Sequence, residues 1–350
     1  ISTSIKGLFV YKEPKDTEGF ELFENEYEDK ATSKSEKQDS EKSAVQEEAM
    51  EEQTEGREQA SSDTVLTDLK ANIERMKQEF DIPKNKDIII RKFKAARKIN
   101  AFILYIDGMV DKNTVNNLIL KQLMSPVHFP DFEEGSNLDY VDYIINNVLS
   151  VNRVIKEQAY DEIINCVLNG ATALFIDGCE ECIIIEALGY EKRNVDKPVT
   201  ENVIRGSQEG FSESMVTNIA LIRRIIKNKN LITEIMPVDR TNRTNCAILY
   251  VKDIANPAVI REVKRRLSNL DIDFISSSGM LEELISDQAL MPFAQVLTTE
   301  RPDRAAAGIM DGKVILVIDG VPFVSLIPAS FFEALQSPED FSLKWQYATF

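Results

Sequence analysis

Apolar and polar residues follow each other along most of the chain in patterns that predict secondary structure. Residues 66–76 place an apolar side chain every three or four positions, the spacing of a helix that buries one face. Short apolar runs at residues 88–93 and 101–106 predict two strands, and "NTVNNLILKQLM" after them predicts a helix. We expect further helices in "YVDYIINNVL" and "VIKEQAYDEIINCVL", the second ending at Gly170, because glycine favours a left-handed helix cap.

An internal repeat relates the two halves of this pattern. "YDEIINCVLNGATALFIDG" aligns without a gap with "PDRAAAGIMDGKVILVIDG", and each reads as a helix, an Asn-Gly or Asp-Gly stop, a strand and Asp-Gly. Upstream, "FILYIDGMV" resembles "AILYVKDIA" in the same order and at nearly the same offset. The two Asp-Gly pairs, Asp177-Gly178 and Asp319-Gly320, predict hairpin turns. Duplication explains these similarities, and chance likeness between common strand–helix units is the alternative.

The patterns predict an α/β protein of two tandem, similar subdomains with mixed sheets and β-hairpins. We assign residues 64–195 to the first subdomain and residues 241–350 to the second. Residues 196–240 are predicted to form a connector loop and a helix that begins after a serine cap near Ser212. The apolar run at residues 314–332 contains Asp-Gly and a proline, so the repeat explains it better than a membrane span does.

Charge changes the interpretation of the first 63 residues. The chain has a formal net charge of -17, and about twelve of these negative charges fall in residues 13–63, which are rich in Glu, Ser, Lys and Gln. Such a segment has too few apolar side chains to offset the entropy lost on ordering, so residues 1–63 are predicted to be an acidic, largely disordered segment. A nucleic-acid partner is not expected for a chain of this charge.

The chemical motifs predict neither an enzyme nor a cofactor. The sequence contains no phosphate-binding loop, dinucleotide fingerprint or nucleophile elbow. A single histidine, His128, excludes a two-histidine metal site, and no metal site is predicted. Carboxylate pairs such as Asp107 and Asp111 occur in any acidic protein and do not indicate catalysis.

The pair Cys179 and Cys182 in "IDGCEECIII" raises the question of a redox or metal motif. After the predicted turn both cysteines would lie on the returning strand, where residues three apart point to opposite faces of the sheet. The second copy has Val321 and Val324 at these positions. We therefore interpret the cysteines as small apolar residues rather than as a disulfide or metal ligands.

Two charged clusters rise above the background: "RGSQEGF" around Arg205 and Glu209, and "TERPD" around Glu300, Arg301 and Asp303. In "TERPD" the proline and the carboxylate could open a helix. The arginines could instead bridge carboxylates and couple the subdomains, because a guanidinium forms two parallel hydrogen bonds to a carboxylate. The sequence leaves both interpretations open.

The strings "VIRGSQEGFSESMVTNIALIRRIIKNKNL", "PFAQVLTTERPDRAAAGIMDGKVILVIDGVPFV" and "SPEDF", in this order, resemble the A-subunit family of spore germinant receptors, the GerA type. The family usually has Pro and Arg where this chain has Ser207 and Gln208. The family-motif and coupling residues that the resemblance and the clusters suggest are Arg205, Gly206, Glu209, Gly210, Phe211, Asn218, Arg223, Arg224, Thr299, Glu300, Arg301, Pro302 and Asp303.

The resemblance implies the hydrophilic N-terminal region of a subunit in the spore inner membrane, facing the spore core. A helix beginning at Ser337 would lead toward the bilayer. The implied partners are a transporter-like B subunit, a lipoprotein C subunit and further copies of the A subunit, in a complex that answers nutrients with ion release and germination. Two functions are compatible with the sequence: a non-enzymatic signalling and assembly domain, or a domain that binds a small nutrient in the cleft between its subdomains.

Overall fold

The computed structural model describes residues 63–129, 140–189, 198, 201, 207–286 and 295–330. All of them belong to one contact unit, Ser61–Phe350. The predicted disordered segment, the predicted helix at Ser337 and most of the predicted connector loop, with Arg205 and Gly206, lie outside the described residues.

The first half is an antiparallel five-stranded sheet in the order β1-β2-β4-β5-β3. Its strands are β1 (Ile88–Ala95), β2 (Ile99–Ile106), β3 (Val154–Glu157), β4 (Thr172–Ile176) and β5 (Cys182–Ile185). Helices α1 (Leu69–Glu79) and α4 (Tyr160–Leu168) cover one face. The other face is covered by α2, which runs as a π-helix over Thr114–Leu120 and as an α-helix over Lys121–Met124, and by α3, Tyr140–Tyr143 continued as a π-helix over Ile144–Val148. Strand β4 is therefore buried along its whole length, which explains its continuous apolar run.

The second half repeats this topology in the order β6-β7-β9-β10-β8. Its strands are β6 (Leu231–Pro237), β7 (Asn245–Val251), β8 (Leu297–Thr299), β9 (Val314–Ile318) and β10 (Val324–Ile327). Helices α5 (Met215–Ile225) and α8 (Pro302–Met310) cover one face, and α6 (Pro257–Ser268) and α7 (Ser278–Ile285) cover the other. The predicted α/β fold with two similar halves is confirmed. The described strand pairs are all antiparallel, whereas mixed sheets were predicted.

Equivalent hydrogen bonds show how closely the halves correspond. Gly178 N–H donates to Thr67 O, just before α1, at 3.0 Å, and Gly320 N–H donates to Glu213 O, just before α5, at 2.8 Å. Both glycines have a positive φ, 84° and 86°, in the predicted turns. Helices α4 and α8 both end at a left-handed glycine, and the first of these, Gly170, is the predicted cap.

Three predicted elements differ in the structure. "VIKEQAYDEIINCVL" is not one helix, because residues 154–157 pair with β5 as the edge strand β3 and only Tyr160–Leu168 is helical. Cys179 lies in the turn before β5 rather than on that strand. The serine that caps α5 is Ser214 rather than Ser212. The helix and β6 in the predicted connector region both pack with the second sheet, so residues 215–237 occupy the places that α1 and β1 hold in the first half.

The two cysteines contribute to opposite faces, as predicted. Cys182 is buried in the core under α1 and α4, and Cys179 packs against the core under α2 and α3. Neither forms a disulfide, and burial raises the pKa of Cys182 well above its ordinary value. Within the described ranges, no helix combines the length and apolarity that a membrane crossing requires.

Candidate functional site

Helix α5 lies at the junction of the two halves. Its apolar residues Met215, Ile219 and Ile222 belong to the core of the second half, whereas Ala220 belongs to the core of the first half. At Gly108, after β2, an added Cβ would lie 3.0 Å from the Ala220 Cβ and 3.0 Å from the Val216 carbonyl oxygen. This close approach means that α5 touches both sheets at once.

The last turn of α5 carries a buried ion pair across the junction. Arg223 Nε donates to Asp87 Oδ2 at 2.7 Å and its Nη2 donates to Asp87 Oδ1 at 2.9 Å, a two-bond contact. The Arg223 side chain is 0% exposed and that of Asp87 is 4% exposed. A charge buried this deeply is stable only while its partner is present, so the pair ties the start of β1 to the end of α5.

Asn85 extends this connection to the edge of the second sheet. Its Oδ1 accepts from Arg223 Nη2 at 3.0 Å and from Thr233 N–H at 2.9 Å, and its Nδ2 donates to Leu231 O at 3.2 Å. The neighbouring Lys86 N–H donates to Thr233 O at 2.8 Å. The segment before β1 thus pairs with β6 and covers a strand edge that would otherwise be open.

Further ion pairs surround this buried centre. Lys229 Nζ lies 2.6 Å from Glu79 Oε2, and Lys252 Nζ lies 2.5 Å from Asp81 Oδ2. Both pairs join the first half to the second, but in each pair the lysine side chain is partly exposed to solvent. Solvent screening makes such pairs weak, so the buried Arg223 pair dominates the electrostatics of the junction.

Residues 207–211 of the predicted cluster "RGSQEGF" lie next to the predicted cluster "TERPD" beside α5. Phe211 N–H donates to Glu300 O at 2.8 Å, and the Phe211 ring is buried in the second core. Glu209 pairs with Arg224, the neighbour of the buried Arg223, while Gly210 is buried between these contacts. Of the two positions that depart from the family pattern, Ser207 accepts from Glu209 N–H at 3.4 Å and Gln208 is exposed.

Within "TERPD" the ion pair is local. Arg301 Nε and Nη2 donate to Asp303 Oδ1 and Oδ2 at 3.1 and 2.6 Å, in the first turn of α8 where Pro302 is the first helical residue. Thr299 donates its hydroxyl to Glu201, which also accepts from Arg304 Nη1 at 2.6 Å. These contacts support the helix-opening interpretation of the cluster, and the backbone bond from Phe211 connects it to the segment before α5.

Asn218 has a structural role that the duplication explains. Its Oδ1 accepts from Ser212 N–H at 2.8 Å and its Nδ2 donates to Ser212 O at 2.6 Å, which holds the segment before α5 against the helix. In the first half, Asn72 makes the same two bonds to Leu66, at 3.0 and 2.6 Å. Both asparagine side chains are completely buried.

A cleft of about 680 Å³ opens between the halves beside these contacts. Its lining residues are Gly108, Val110, Asp111, Lys112, Asn113, Gly189, Glu209, Ser214, Val216, Thr217, Ala220, Leu221 and Arg224. Asp111 caps α2, and the hydrogen bonds from the Thr114 hydroxyl and N–H hold the pKa of its carboxyl below the ordinary value. The cleft therefore presents fixed charges of both signs next to an apolar wall.

Sequence reasoning selected Arg223 but missed Asp87 and Asn85. They are short polar residues before a strand, and only their burial marks them as special. Arg304 and Glu201 were also missed, although Arg304 falls on the buried face of an amphipathic helix, which is a usable signal. Among the described residues, no group of three or more His, Cys, Asp or Glu side chains could hold a metal ion.

Comparison with known proteins adds an independent result. Residues 74–350 match the family model described as Bacillus/Clostridium GerA spore germination protein. Spore germination protein KA of Bacillus subtilis (strain 168) is 34% identical over 283 residues, which are 80% of this chain and 51% of the relative. The uncharacterized membrane protein YfkQ of the same organism is 32% identical over 255 residues, 73% of this chain and 48% of the relative. The chain thus spans about half the length of these curated relatives.

A solved structure shares the fold. The crystal structure of the N-terminal domain of the A subunit of the Bacillus megaterium spore germinant receptor GerK3 superimposes with a TM-score of 0.60 and 28% sequence identity, covering 77% of this chain and 97% of that one. The matched family is one of spore germination proteins, which is not an enzyme class. The match over residues 74–350 and the identity to protein KA show that this chain belongs to the Bacillus/Clostridium GerA spore germination protein family.

Proposed function

We propose that this chain is the N-terminal domain of a germinant receptor A subunit and that it couples nutrient detection to the rest of the receptor through the junction of its two halves. The observation that carries the proposal is the buried Arg223–Asp87 pair with its Asn85 contacts. The likeness to the N-terminal domain of the GerK3 A subunit supports the assignment to the receptor.

The physical argument concerns how a junction transmits a signal. Coupling requires two arrangements of the halves that differ in free energy. A buried guanidinium–carboxylate pair strongly favours one arrangement, because any rotation that separates the charges leaves both unpaired in a medium of low polarity. Packed interfaces of this kind change between discrete arrangements rather than deforming gradually. The junction is therefore suited to hold one state until an event elsewhere in the receptor displaces it.

The same proposal implies where the domain lies and which subunits it contacts. The domain would face the spore core from the inner membrane, assemble with the B and C subunits and with further A subunits, and take part in the signal that leads to ion release. The relative YfkQ is named a membrane protein, and the structural neighbour is the N-terminal domain of a receptor A subunit; both support a place in a membrane receptor.

The coupling role is tested in spores that carry the full-length subunit. Arg223→Lys keeps the positive charge but cannot form both bonds to Asp87, whereas Lys229→Arg makes a similar exchange at a screened pair. We expect Arg223→Lys to change the germination rate at several nutrient concentrations while immunoblots show a normal receptor level. Normal receptor levels together with unchanged germination in Arg223→Lys would refute the coupling role.

A second function, direct binding of a nutrient, is favoured by the cleft between the halves. A volume of about 680 Å³ suits an amino acid, sugar or nucleoside, and the charges of Asp111, Glu209 and Arg224 could orient a polar ligand. Calorimetry of the chain against a panel of these three nutrient classes tests the proposal, with Asn113→Trp as the variant that fills the cleft from an exposed position. No heat at millimolar ligand, or equal heat for both proteins, would place detection elsewhere.

A further inference from the structure

The turn between β1 and β2 carries a concentration of positive charge in an otherwise acidic chain. Lys94 and Arg97 of this hairpin and Lys121 of α2 line an open cavity of about 530 Å³, together with Met124, Ser125 and Pro126. We call the residues 94–98, 121 and 124–127 the basic tip. Lys94, Arg97, Lys98 and Lys121 are all exposed. The positive charges of these four side chains therefore face solvent.

The basic tip is held in place by backbone contacts. Ala96 N–H donates to Leu123 O at 2.8 Å, which joins the turn to α2, and Lys98 N–H donates to Ala95 O at 3.0 Å. Ala96 and Arg97 both have positive φ values, 49° and 62°, where two-residue turns usually have Asn or Gly. Both residues keep a backbone conformation that their side chains disfavour, and such conformations are concentrated at functional sites.

The corresponding hairpin of the second half differs in its charge pairing. There, Arg240 lies 3.4 Å from Asp271 Oδ1 and 2.9 Å from Asp273 Oδ1, so local carboxylates neutralise it. The other cation of that hairpin, Arg243, is exposed and has no ion pair with a described residue. At the basic tip, four cations form no ion pair with any residue in the described part of the chain. The first half thus concentrates more unpaired charge at this hairpin than the duplicated fold requires.

Apolar side chains project beside the cations. Val127 is 84% exposed and Met124 is 42% exposed. Val127 lies in a short 3-10 turn, Pro126–His128, that is anchored by a 2.8 Å bond from the Tyr143 hydroxyl to His128 O. Cations around exposed apolar residues are typical of surfaces that lie on anionic membranes, where the cations meet headgroup phosphates and the apolar side chains enter the interface.

We propose that the basic tip docks on the surface of an anionic phospholipid bilayer. Lys94, Arg97 and Lys121 contact the headgroup phosphates, and Val127 and Met124 enter the boundary with the acyl chains. A soluble phosphate compound would satisfy the cations but would leave the apolar side chains in water, which is why the bilayer fits better. The net negative charge of the chain does not prevent this contact, because salt screens charges more than about 10 Å away. The proposal is independent of the coupling role.

Flotation of the whole chain with lipid vesicles tests the docking surface. Vesicles of phosphatidylcholine with about one third phosphatidylglycerol should bind the chain, pure phosphatidylcholine vesicles should not, and binding should weaken with salt. The triple variant Lys94→Gln, Arg97→Gln, Lys121→Gln should lower the partition coefficient roughly a hundredfold, about fivefold for each cation. The matched control Lys227→Gln, Arg243→Gln, Arg261→Gln removes the same charge from other exposed positions and should change it less than about threefold.

Val127→Asn separates the bilayer from a soluble ligand, because it removes the apolar side chain without adding a charge. It should weaken vesicle binding several-fold while binding of inorganic pyrophosphate, measured by calorimetry, changes little. Equal vesicle binding by the two triple variants would overturn the proposal, as would no binding to anionic vesicles. Pyrophosphate binding at the basic tip with no effect of Val127→Asn on vesicles would show a site for a soluble anion instead. Because all substituted side chains are exposed, unchanged thermal unfolding is expected in every variant.

Discussion

Replacing Arg223 with methionine removes the cation from a carboxylate that has almost no access to water. The variant keeps the length and apolar part of the side chain but loses two bonds to Asp87 and one to Asn85. Breaking a buried ion pair by removing one partner costs about 3–5 kcal/mol, because the other charge is left without compensation. We expect the free energy of unfolding to fall by this amount.

Urea unfolding of the chain, followed by circular dichroism, measures the loss. Lys229→Met is the control, since the Lys229 and Glu79 side chains are 39% and 16% exposed and their pair should contribute less than about 1 kcal/mol. The double variant Arg223→Met, Asp87→Leu should recover much of the lost stability, because it leaves no buried charge. If Arg223→Met costs no more than Lys229→Met, the pair does not hold the halves together and the reasoning fails.

Four further outcomes are expected. Arg301→Gln should lower the free energy of unfolding by about 1–3 kcal/mol, because Asp303 in the first turn of α8 loses the buried guanidinium that donates to it. An unchanged urea midpoint would contradict the role of this pair. Gly108→Ala should destabilise by about 1–3 kcal/mol, because its φ of +80° and the close α5 backbone leave no strain-free place for a Cβ, and wild-type stability would refute the close approach. Thiol titration at pH 8 should leave Cys182 and Cys246 unreacted until the chain unfolds, because burial raises the pKa of both thiols, that of Cys246 to about 12. Fast reaction of either thiol in the folded chain would disprove its burial. The hydrogen bonds from two arginines lower the pKa of Glu262 to about 2 from 4.5. The stability that ionised Glu262 contributes to the fold is therefore present above pH 4.5 and lost as the pH falls toward 2. Glu262→Gln should flatten the dependence of stability on pH in that window, and an unchanged dependence would argue against the pairing.

The success of sequence reasoning differed between elements for physical reasons. Helix α1 was predicted from the helical spacing of its apolar residues, and strands β1 and β2 from short apolar runs, and both signals are local properties of the sequence. Strand β3 was missed because "VIKE" is short and alternates too little to compete with the strong helix that follows it. Its pairing with β5 decides its conformation, and that contact is not local.

The sequence by itself determined the duplicated α/β architecture, the turns at Gly178 and Gly320, and the apolar role of Cys182. Each of these depends on residues close together in the chain or on two copies of one pattern. Only the tertiary structure decided that Arg223 pairs with Asp87, 136 residues away, and that α5 packs with the second sheet while touching the first. A charged residue carries no local signal of its distant partner, because ion pairing depends on which surfaces the folded halves bring together and on the water they exclude.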